Sequence, residues 1–92
     1  MNDEKNDKKQ GPPTVTVNVY EPSSPDPRQF TWPKNMRVGD AADEAAKEFG
    51  VNAESPTFQN ADEEVLDRNK PLVAEGVRDG DSLDLVSAGG GV

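Results

Sequence analysis

The chain has 92 residues, a formal net charge of -8 at pH 7, and neither cysteine nor histidine. This length is enough for one small domain and leaves no room for a second core. Without Cys or His, disulfides, the usual zinc sites, thiol nucleophiles and histidine bases are excluded, so we expect no enzymatic activity and no metal or other cofactor. With 18 acidic and 10 basic residues, the chain would be repelled by nucleic acids and by anionic membranes, and proteins are the expected partners.

The N-terminal segment, residues 1–13, differs in composition from the rest of the chain. It carries no large apolar side chain after the initial methionine, and its three acidic and three basic residues cancel. Such a stretch, closed by a Gly-Pro-Pro sequence, predicts a disordered tail. No apolar signal-peptide region is present, and no run approaches the ~18 apolar residues of a membrane span, so we expect a cytoplasmic protein. The predicted organisation is a tail at 1–13, a domain at 14–86 and a flexible glycine tail at 87–92.

Two strands are predicted at the start of the domain. Residues 14–20 alternate strictly between valine on one face and polar or tyrosine side chains on the other, which indicates a half-buried strand. A proline-rich loop follows at 21–27. Phe30 and Trp32 then share one face of a second strand that ends at Pro33, so we expect a hairpin. The two aromatic side chains are interpreted as core residues, with an exposed patch for a partner as the alternative.

A short helix is predicted between Asp40 and Gly50. Asp40 is the expected N-cap, acidic residues follow in the first turn, and alanines together with Phe49 recur at the i, i+3, i+4 spacing of a buried stripe. Gly50 stands where a left-handed residue ends a helix, with Val51 as its hydrophobic contact.

Three further strands complete the pattern. Residues 56–61 and 64–66 predict two short strands bounded by turn residues. Leu83 and Leu85 share one face of a last strand at 82–86. One helix on one face of a small mixed sheet, an α+β architecture, is the layer arrangement that this order allows. The side chains expected in the core are Val15, Val17, Phe30, Phe49, Leu72, Leu83 and Leu85.

Two acidic stretches were weighed as sites. Residues 79–84 resemble part of a calcium loop, but Leu83 stands where an Asp or Asn ligand belongs and the flanking helices and bidentate glutamate are missing, so no metal is expected. The run 62–64 is interpreted as a solvated face, with docking to a basic enzyme surface as the alternative. The serines have no histidine to activate them, which excludes a hydrolytic triad.

The whole layout resembles the β-grasp fold of ubiquitin-like proteins, roughly over residues 14–91. Residues 64–72 (EVLDRNKPL) resemble the short strand, charged turn and leucine that follow the third main strand of ubiquitin. Residues 76–86 (GVRDGDSLDLV) resemble its final connection and last strand, in which a turn leads into alternating leucines before a diglycine tail. Among the branches of this family, the chain is most similar to bacterial ubiquitin-like proteins, which also carry residues beyond the diglycine.

The resemblance gives the glycine run after the last strand a chemical meaning. A C-terminal glycine carboxylate can be adenylated and then passed to a thiol, an amine or sulfide, and the reaction needs a thin strand that threads into an enzyme channel. Glycine suits this task because it has no Cβ and adopts extended conformations freely. The candidate site is therefore the tail Gly89, Gly90, Gly91 and Val92. A frayed terminus is the alternative interpretation.

The resemblance implies a protein modifier that performs no catalysis itself. Val92 would have to be removed by a peptidase before Gly91 is activated, or Gly91 as well if Gly90 is the mature end. The implied partners are an activating (adenylating) enzyme, a conjugating enzyme, a metallopeptidase or other deubiquitinase-like processing enzyme, and target proteins. The lysines of the domain that could accept the C-terminus of another copy are Lys34, Lys47 and Lys70.

Two other functions stay open at this point. The tail is shorter than that of ubiquitin and lacks its arginines, and its Ser-Ala-Gly-Gly sequence is similar to bacterial sulfur carriers of thiamin and molybdopterin synthesis, which use a C-terminal thiocarboxylate. The trailing Val92 departs from those carriers. The third hypothesis is a non-conjugated β-grasp binding domain that self-associates through exposed edge strands.

Overall fold

The valine-rich segment and the aromatic segment that follows it form the predicted hairpin. The structure is a computed structural model that describes residues 13–87, so most of the two predicted tails lies outside the described residues. Strand β1 (Thr14–Tyr20) pairs antiparallel with β2 (Arg28–Pro33), from Thr14 opposite Pro33 to Val19 opposite Arg28. The ladder stops at Pro33, which has no N–H to donate.

The helix begins earlier than predicted. Helix α1 spans Val38–Phe49, so the prediction that Asp40 is the N-cap was wrong: Arg37 occupies that place in an extended conformation, and its side chain makes no capping hydrogen bond. Asp40 lies in the first turn, where its negative charge interacts favourably with the positive end of the helix dipole. The predicted end is confirmed, because Gly50 has φ 74° and its N–H donates to the carbonyls of the last turn.

Of the two short strands predicted after the helix, only the first forms. Strand β3 spans Pro56–Gln59, whereas the expected strand at 64–66 is reduced to an isolated bridge between Gln59 and Val65. The reason is the tight turn between them, in which Glu63 has φ 67° and the Asn60 side chain accepts the N–H of two later residues. These local bonds leave too few residues for a second ladder.

The last strand lies inside the sheet. Strand β4 (Ser82–Ser87) follows a single 3-10 turn (Val73–Glu75) and pairs parallel with β1 and antiparallel with β3, which gives the strand order β2-β1-β4-β3. The result is the predicted α+β architecture: a mixed four-stranded sheet with one helix. Leu83 and Leu85 point to the same, buried face, as the alternation predicted.

The core lies between the sheet and α1. Six of the seven expected side chains are buried there, and the aromatic side chains of β2 belong to it rather than to an exposed patch, with Phe30 and Trp32 stacked at a ring-centroid distance of 4.8 Å. Phe49 was expected to be buried but is half-buried. As the last residue of α1 it reaches only the rim, where its ring packs edge-on against Phe30 and the guanidinium of Arg28 lies 5.5 Å from its centroid.

Residues 68–72, which form the return segment, replace the missing side-chain cap of α1. The carbonyl oxygens of Arg68 and Lys70 accept the N–H groups of Gly39 and Val38, each at 2.9 Å. The Arg68 guanidinium lies beneath the first turn, and a Cβ built on Gly39 would lie 2.9 Å from its Cζ. Glycine is therefore needed at position 39 because the Arg68 guanidinium lies where a Cβ would be, and not because the backbone has a positive φ there.

The Arg68 side chain joins three parts of the fold. Its Nε donates to the carbonyl of Pro56 at 2.7 Å, where β3 begins, and its Nη2 lies 3.1 Å from Oδ1 of Asp43 on α1. The ion pair is half-exposed, so solvent screens it and the backbone hydrogen bond is the more important contact.

The first prediction concerns the core. Replacing Leu85 with Ala removes buried methyl groups from the centre of the sheet, and we expect the free energy of unfolding to fall by about 2–5 kcal/mol. Urea denaturation followed by circular dichroism measures this loss. Val73→Ala is the control, because Val73 is 52% exposed and its truncation should change stability by no more than about 0.5 kcal/mol. Equal denaturation midpoints for both variants would refute the placement of Leu85.

The second prediction concerns the contact between Gly39 and Arg68. In the wild-type chain, Gly39→Ala pushes the guanidinium away from its partners and should destabilise the domain by about 1–3 kcal/mol, the cost of losing hydrogen bonds to a charged group. In an Arg68→Ala background the same change should stabilise it by up to about 1 kcal/mol, because Ala is the better helix former.

A double-mutant cycle measured by urea denaturation checks this reversal of sign. Additive effects of the two substitutions, with the same sign in both backgrounds, would show that the guanidinium does not occupy the space beside Gly39.

Candidate functional site: the root of the glycine tail

The predicted site residues Gly89, Gly90, Gly91 and Val92 lie outside the described residues, and what the structure shows is the place from which they extend. That place is Ser87, the last residue of β4. The Ser87 hydroxyl donates a hydrogen bond of 2.6 Å to the carbonyl of Glu54, in the segment that connects α1 to β3. The chain is therefore held to the body of the domain one residue before Ala88 and two before the first glycine of the tail.

The end of β4 has a strand neighbour on one side only. The β3–β4 ladder continues to Pro56 opposite Ser87, but the β1–β4 ladder ends at Tyr20 opposite Asp84. Proline explains the difference. In this parallel register, every second residue of β1 faces β4, so after Tyr20 the next N–H to donate to β4 would be that of residue 22. Residue 22 is a proline and has no N–H. The Leu85 carbonyl is consequently left without a β1 partner.

An apolar groove of about 390 Å³ lies beside this half-open strand end. It is bounded by the start of the loop after β1, by the segment that follows the C-cap of α1, and by the last residues of β4. Its lining residues include Val51, Ala53 and Val86, which are half-buried, together with Pro22 and Ser87.

Glu21 forms one wall of the groove but offers no free charge to it. This carboxylate is only 8% exposed. It accepts the N–H of Ser23 at 3.0 Å and the Ser23 hydroxyl at 2.7 Å, so its oxygens are used in closing the loop. The exposed lining of the groove is therefore mostly apolar.

The three candidate acceptor lysines lie in separate parts of the fold. Lys47 is exposed on α1 and Lys70 is exposed in the return segment, whereas Lys34 is half-buried. The backbone of Lys34 is tied on both sides, because its N–H donates to the carbonyl of Pro13 and its carbonyl accepts the N–H of Val73. Within residues 13–87 no carboxylate lies within 4 Å of any of the three ammonium groups.

The acidic stretches have structural roles. Asp79 accepts the N–H of Thr16 at 2.7 Å and Asp81 accepts the N–H of Arg78 at 2.9 Å, so the carboxylates that resembled a calcium loop shape the turn before β4. Over residues 13–87, no group of three or more acidic side chains is arranged to hold a metal ion, and no helix has the length and apolar character needed to cross a bilayer. The run 62–64 is exposed, as a solvated face should be.

Sequence reasoning predicted a site in the tail, which stays a prediction, and it missed the groove. Its walls come from three separate segments, and each contributes only one or two apolar side chains, so no periodic pattern marks it. The one available signal was Pro22, which predicts that the first strand stops pairing there while the last strand continues.

The chain was compared with protein-family models, curated proteins and solved structures. No family model matches the chain, and no curated protein does. A ubiquitin of Caldiarchaeum subterraneum superimposes with a TM-score of 0.68 at 16% identity, covering 87% of this chain and 100% of that chain. The ubiquitin-like domain of tubulin-binding cofactor B gives 0.64 at 23% identity, covering 85% and 93%.

A chain of the toluene 4-monooxygenase HD complex, solved with the inhibitor 4-bromobenzoate, gives a TM-score of 0.72 at 11% identity and covers 82% of this chain and 99% of that chain. The neighbours thus include a ubiquitin, a domain of a tubulin-binding protein and a component of an oxygenase complex. At such identities the likeness concerns the fold alone, and the fold of this chain is the ubiquitin-like β-grasp.

Proposed function

We propose that this protein is a ubiquitin-like modifier that is trimmed at its tail, activated at a glycine carboxylate and attached to amines of target proteins. The observation that carries the proposal is the position of the glycines. They follow directly on the interior strand of a β-grasp sheet, whose last residue is held to the body by the bond between Ser87 and Glu54. An enzyme channel requires a folded body followed by residues without bulky side chains, and the sequence after β4 supplies three glycines.

The chemistry belongs to the tail and to the enzymes that act on it. A carboxylate oxygen of the terminal glycine attacks the α-phosphorus of ATP, the bond to the β-phosphate breaks, and pyrophosphate leaves. A thiol of the activating enzyme then displaces AMP to form a thioester, and an amine of the target displaces the thiol to form an amide. No side chain of the activated copy is needed as a catalyst, and the chain has neither Cys nor His.

A modifier of this kind needs partners that recognise its body. We propose an adenylating enzyme, a conjugating enzyme and a peptidase that removes whatever follows the reactive glycine, which is Val92 in this chain. If copies are joined to one another, Lys47 and Lys70 are the preferred acceptors, because both are exposed whereas Lys34 is half-buried.

The third prediction tests the tail. Chains that end at Gly91 or at Gly90 should be adenylated directly, whereas the chain with Val92 should react only after trimming, because its glycine carboxyl groups are in peptide bonds. The double variant Gly90→Val, Gly91→Val should lose adenylation, since branched side chains do not fit a channel built for glycine. Pyrophosphate release with the purified activating enzyme measures each variant.

The controls separate loss of reaction from loss of fold. All four proteins should denature at the same urea concentration, because the core side chains lie between Val15 and Leu85. Direct adenylation of the untrimmed chain would remove the processing step, and a fully active double variant would remove the tail from the mechanism.

Intact mass after expression with the neighbouring genes distinguishes the other two functions. A mass gain equal to the replacement of one oxygen by sulfur would indicate a sulfur carrier, whereas an untrimmed, unchanged mass would indicate a non-conjugated binding domain.

A further inference from the structure

We infer that Ser87 is a positioning residue for the reaction at the tail. Its hydroxyl holds the last residue of β4 where a strand partner is missing, and thereby fixes the direction in which the chain leaves the sheet. The bond that does this runs from Ser87 Oγ to the carbonyl of Glu54 and measures 2.6 Å. The inference rests on the proposed function and adds to it the residue by which the domain presents its reactive end to an enzyme.

The backbone of Ser87 faces the side of the sheet on which β1 has already stopped pairing. The N–H of Asn18 donates to the carbonyl of Asp81, so Asp81 and every second residue after it turn their backbone groups towards β1. Ser87 belongs to this set, but the β1–β4 ladder ends at Tyr20 opposite Asp84. Strand pairing on the β1 side therefore stops three residues before Ser87.

Strand β3 does not supply the missing backbone bond. Pro56 lies opposite Ser87 in the antiparallel ladder and has no N–H to donate. The carbonyl of Pro56 accepts a hydrogen bond of 2.7 Å from Nε of Arg68 instead. Among the described residues, the side-chain bond to Glu54 is therefore what ties Ser87 to the body of the domain.

The acceptor of this bond lies in a segment whose backbone is closely determined. Ser55, directly after Glu54, has φ 48°, in the left-handed region that residues other than glycine rarely occupy. Such a conformation persists only where the surrounding contacts hold it. One end of the segment is fixed after α1, where Val51 donates to the Ala46 carbonyl, and the other end enters β3 at Pro56. The Glu54 carbonyl is thus a defined anchor for Ser87.

The short distance to the reactive glycine makes the direction of the chain at Ser87 important. Gly90 is three residues after Ser87 and Gly91 is four, and three residues can span at most about 10 Å. An enzyme that recognises the folded domain therefore meets the carboxyl group at a place that depends on the orientation of Ser87. A residue that is held before the encounter spares the complex the entropy cost of ordering it.

The expected effect concerns binding and not folding. The bond between Ser87 and Glu54 is exposed, and a hydrogen bond contributes a factor of about 2 to 10 to an equilibrium constant. A chain without the Ser87 hydroxyl should fold as before, because the core side chains lie between Val15 and Leu85. Its complex with the enzyme should be weaker by the factor that the bond supplied.

The fourth prediction uses matched substitutions in chains that end at Gly91. Ser87→Ala removes the hydroxyl, Ser87→Thr keeps it, and Ser82→Ala makes the same truncation at the other, exposed end of β4. Pyrophosphate release with the purified activating enzyme gives KM and kcat for each chain. We expect Ser87→Ala to raise KM about threefold to tenfold with kcat unchanged, because the enzyme itself orders the residue once it is bound. The other two variants should stay within about twofold of the wild type, since both retain the bond to Glu54.

A second measurement does not depend on the activating enzyme. Relaxation of the amide nitrogens, measured by NMR on the full-length chains, gives the backbone order parameter of residue 87. This order parameter should fall in Ser87→Ala and be retained in Ser87→Thr. Equal urea midpoints establish that the variants are folded.

The two measurements separate this inference from the proposed function. An unchanged order parameter in Ser87→Ala would overturn the anchor, and a lower order parameter with an unchanged KM would overturn the positioning role. A trimmed wild type that is not adenylated would overturn the proposed function and the positioning role together, while the order parameter would still decide whether the hydroxyl holds the chain.

Discussion

The start of α1 depends on carbonyl groups that arrive from a distant part of the chain. A helix leaves its first amide groups without partners inside the helix, and here those of Val38 and Gly39 donate to carbonyls of residues 68 and 70. These acceptors are in place only when the return segment has folded beneath the helix. The Arg68 guanidinium, which fits because position 39 has no Cβ, binds the same segment to the start of β3. Helix, sheet edge and return segment therefore support one another and are expected to form together.

The same return segment determines where β4 begins. Leu72 donates to the carbonyl of Met36 and is fully buried, which fixes the chain before the last turn. In that turn the Asp79 carboxylate and the Gly80 N–H bind the backbone of Thr16 on β1. The chain thus enters the sheet between β1 and β3 with a set register. An interior strand cannot slip without breaking two ladders and turning its leucines to solvent, so the register of β4 is fixed.

The periodic parts of this fold could be predicted from the sequence, and the parts built by distant contacts could not. Alternating valines and leucines specify a strand and its buried face by themselves, and Gly50 ends the helix through its own φ. The start of the helix was misplaced because Asp40 is a good local cap, whereas backbone acceptors 30 residues away made a cap unnecessary. Phe49 has the spacing of a core residue, but spacing does not reveal that the helix ends at the rim of the sheet. The groove was missed for the same reason, since its walls meet only in the folded chain.

Recognition of a modifier with this tail has to come from the body of the domain. Glycines have no side chains, so the residues that suit an enzyme channel carry little information about which protein is in it. The charge of -8 attracts basic surfaces over a distance but does not fix how they dock. Short-range contacts with the domain supply that orientation, because they form only when the partner is within van der Waals range. Gly90 is three residues after Ser87, and three residues can span at most about 10 Å. The side chains that distinguish such a modifier must therefore lie near the end of β4.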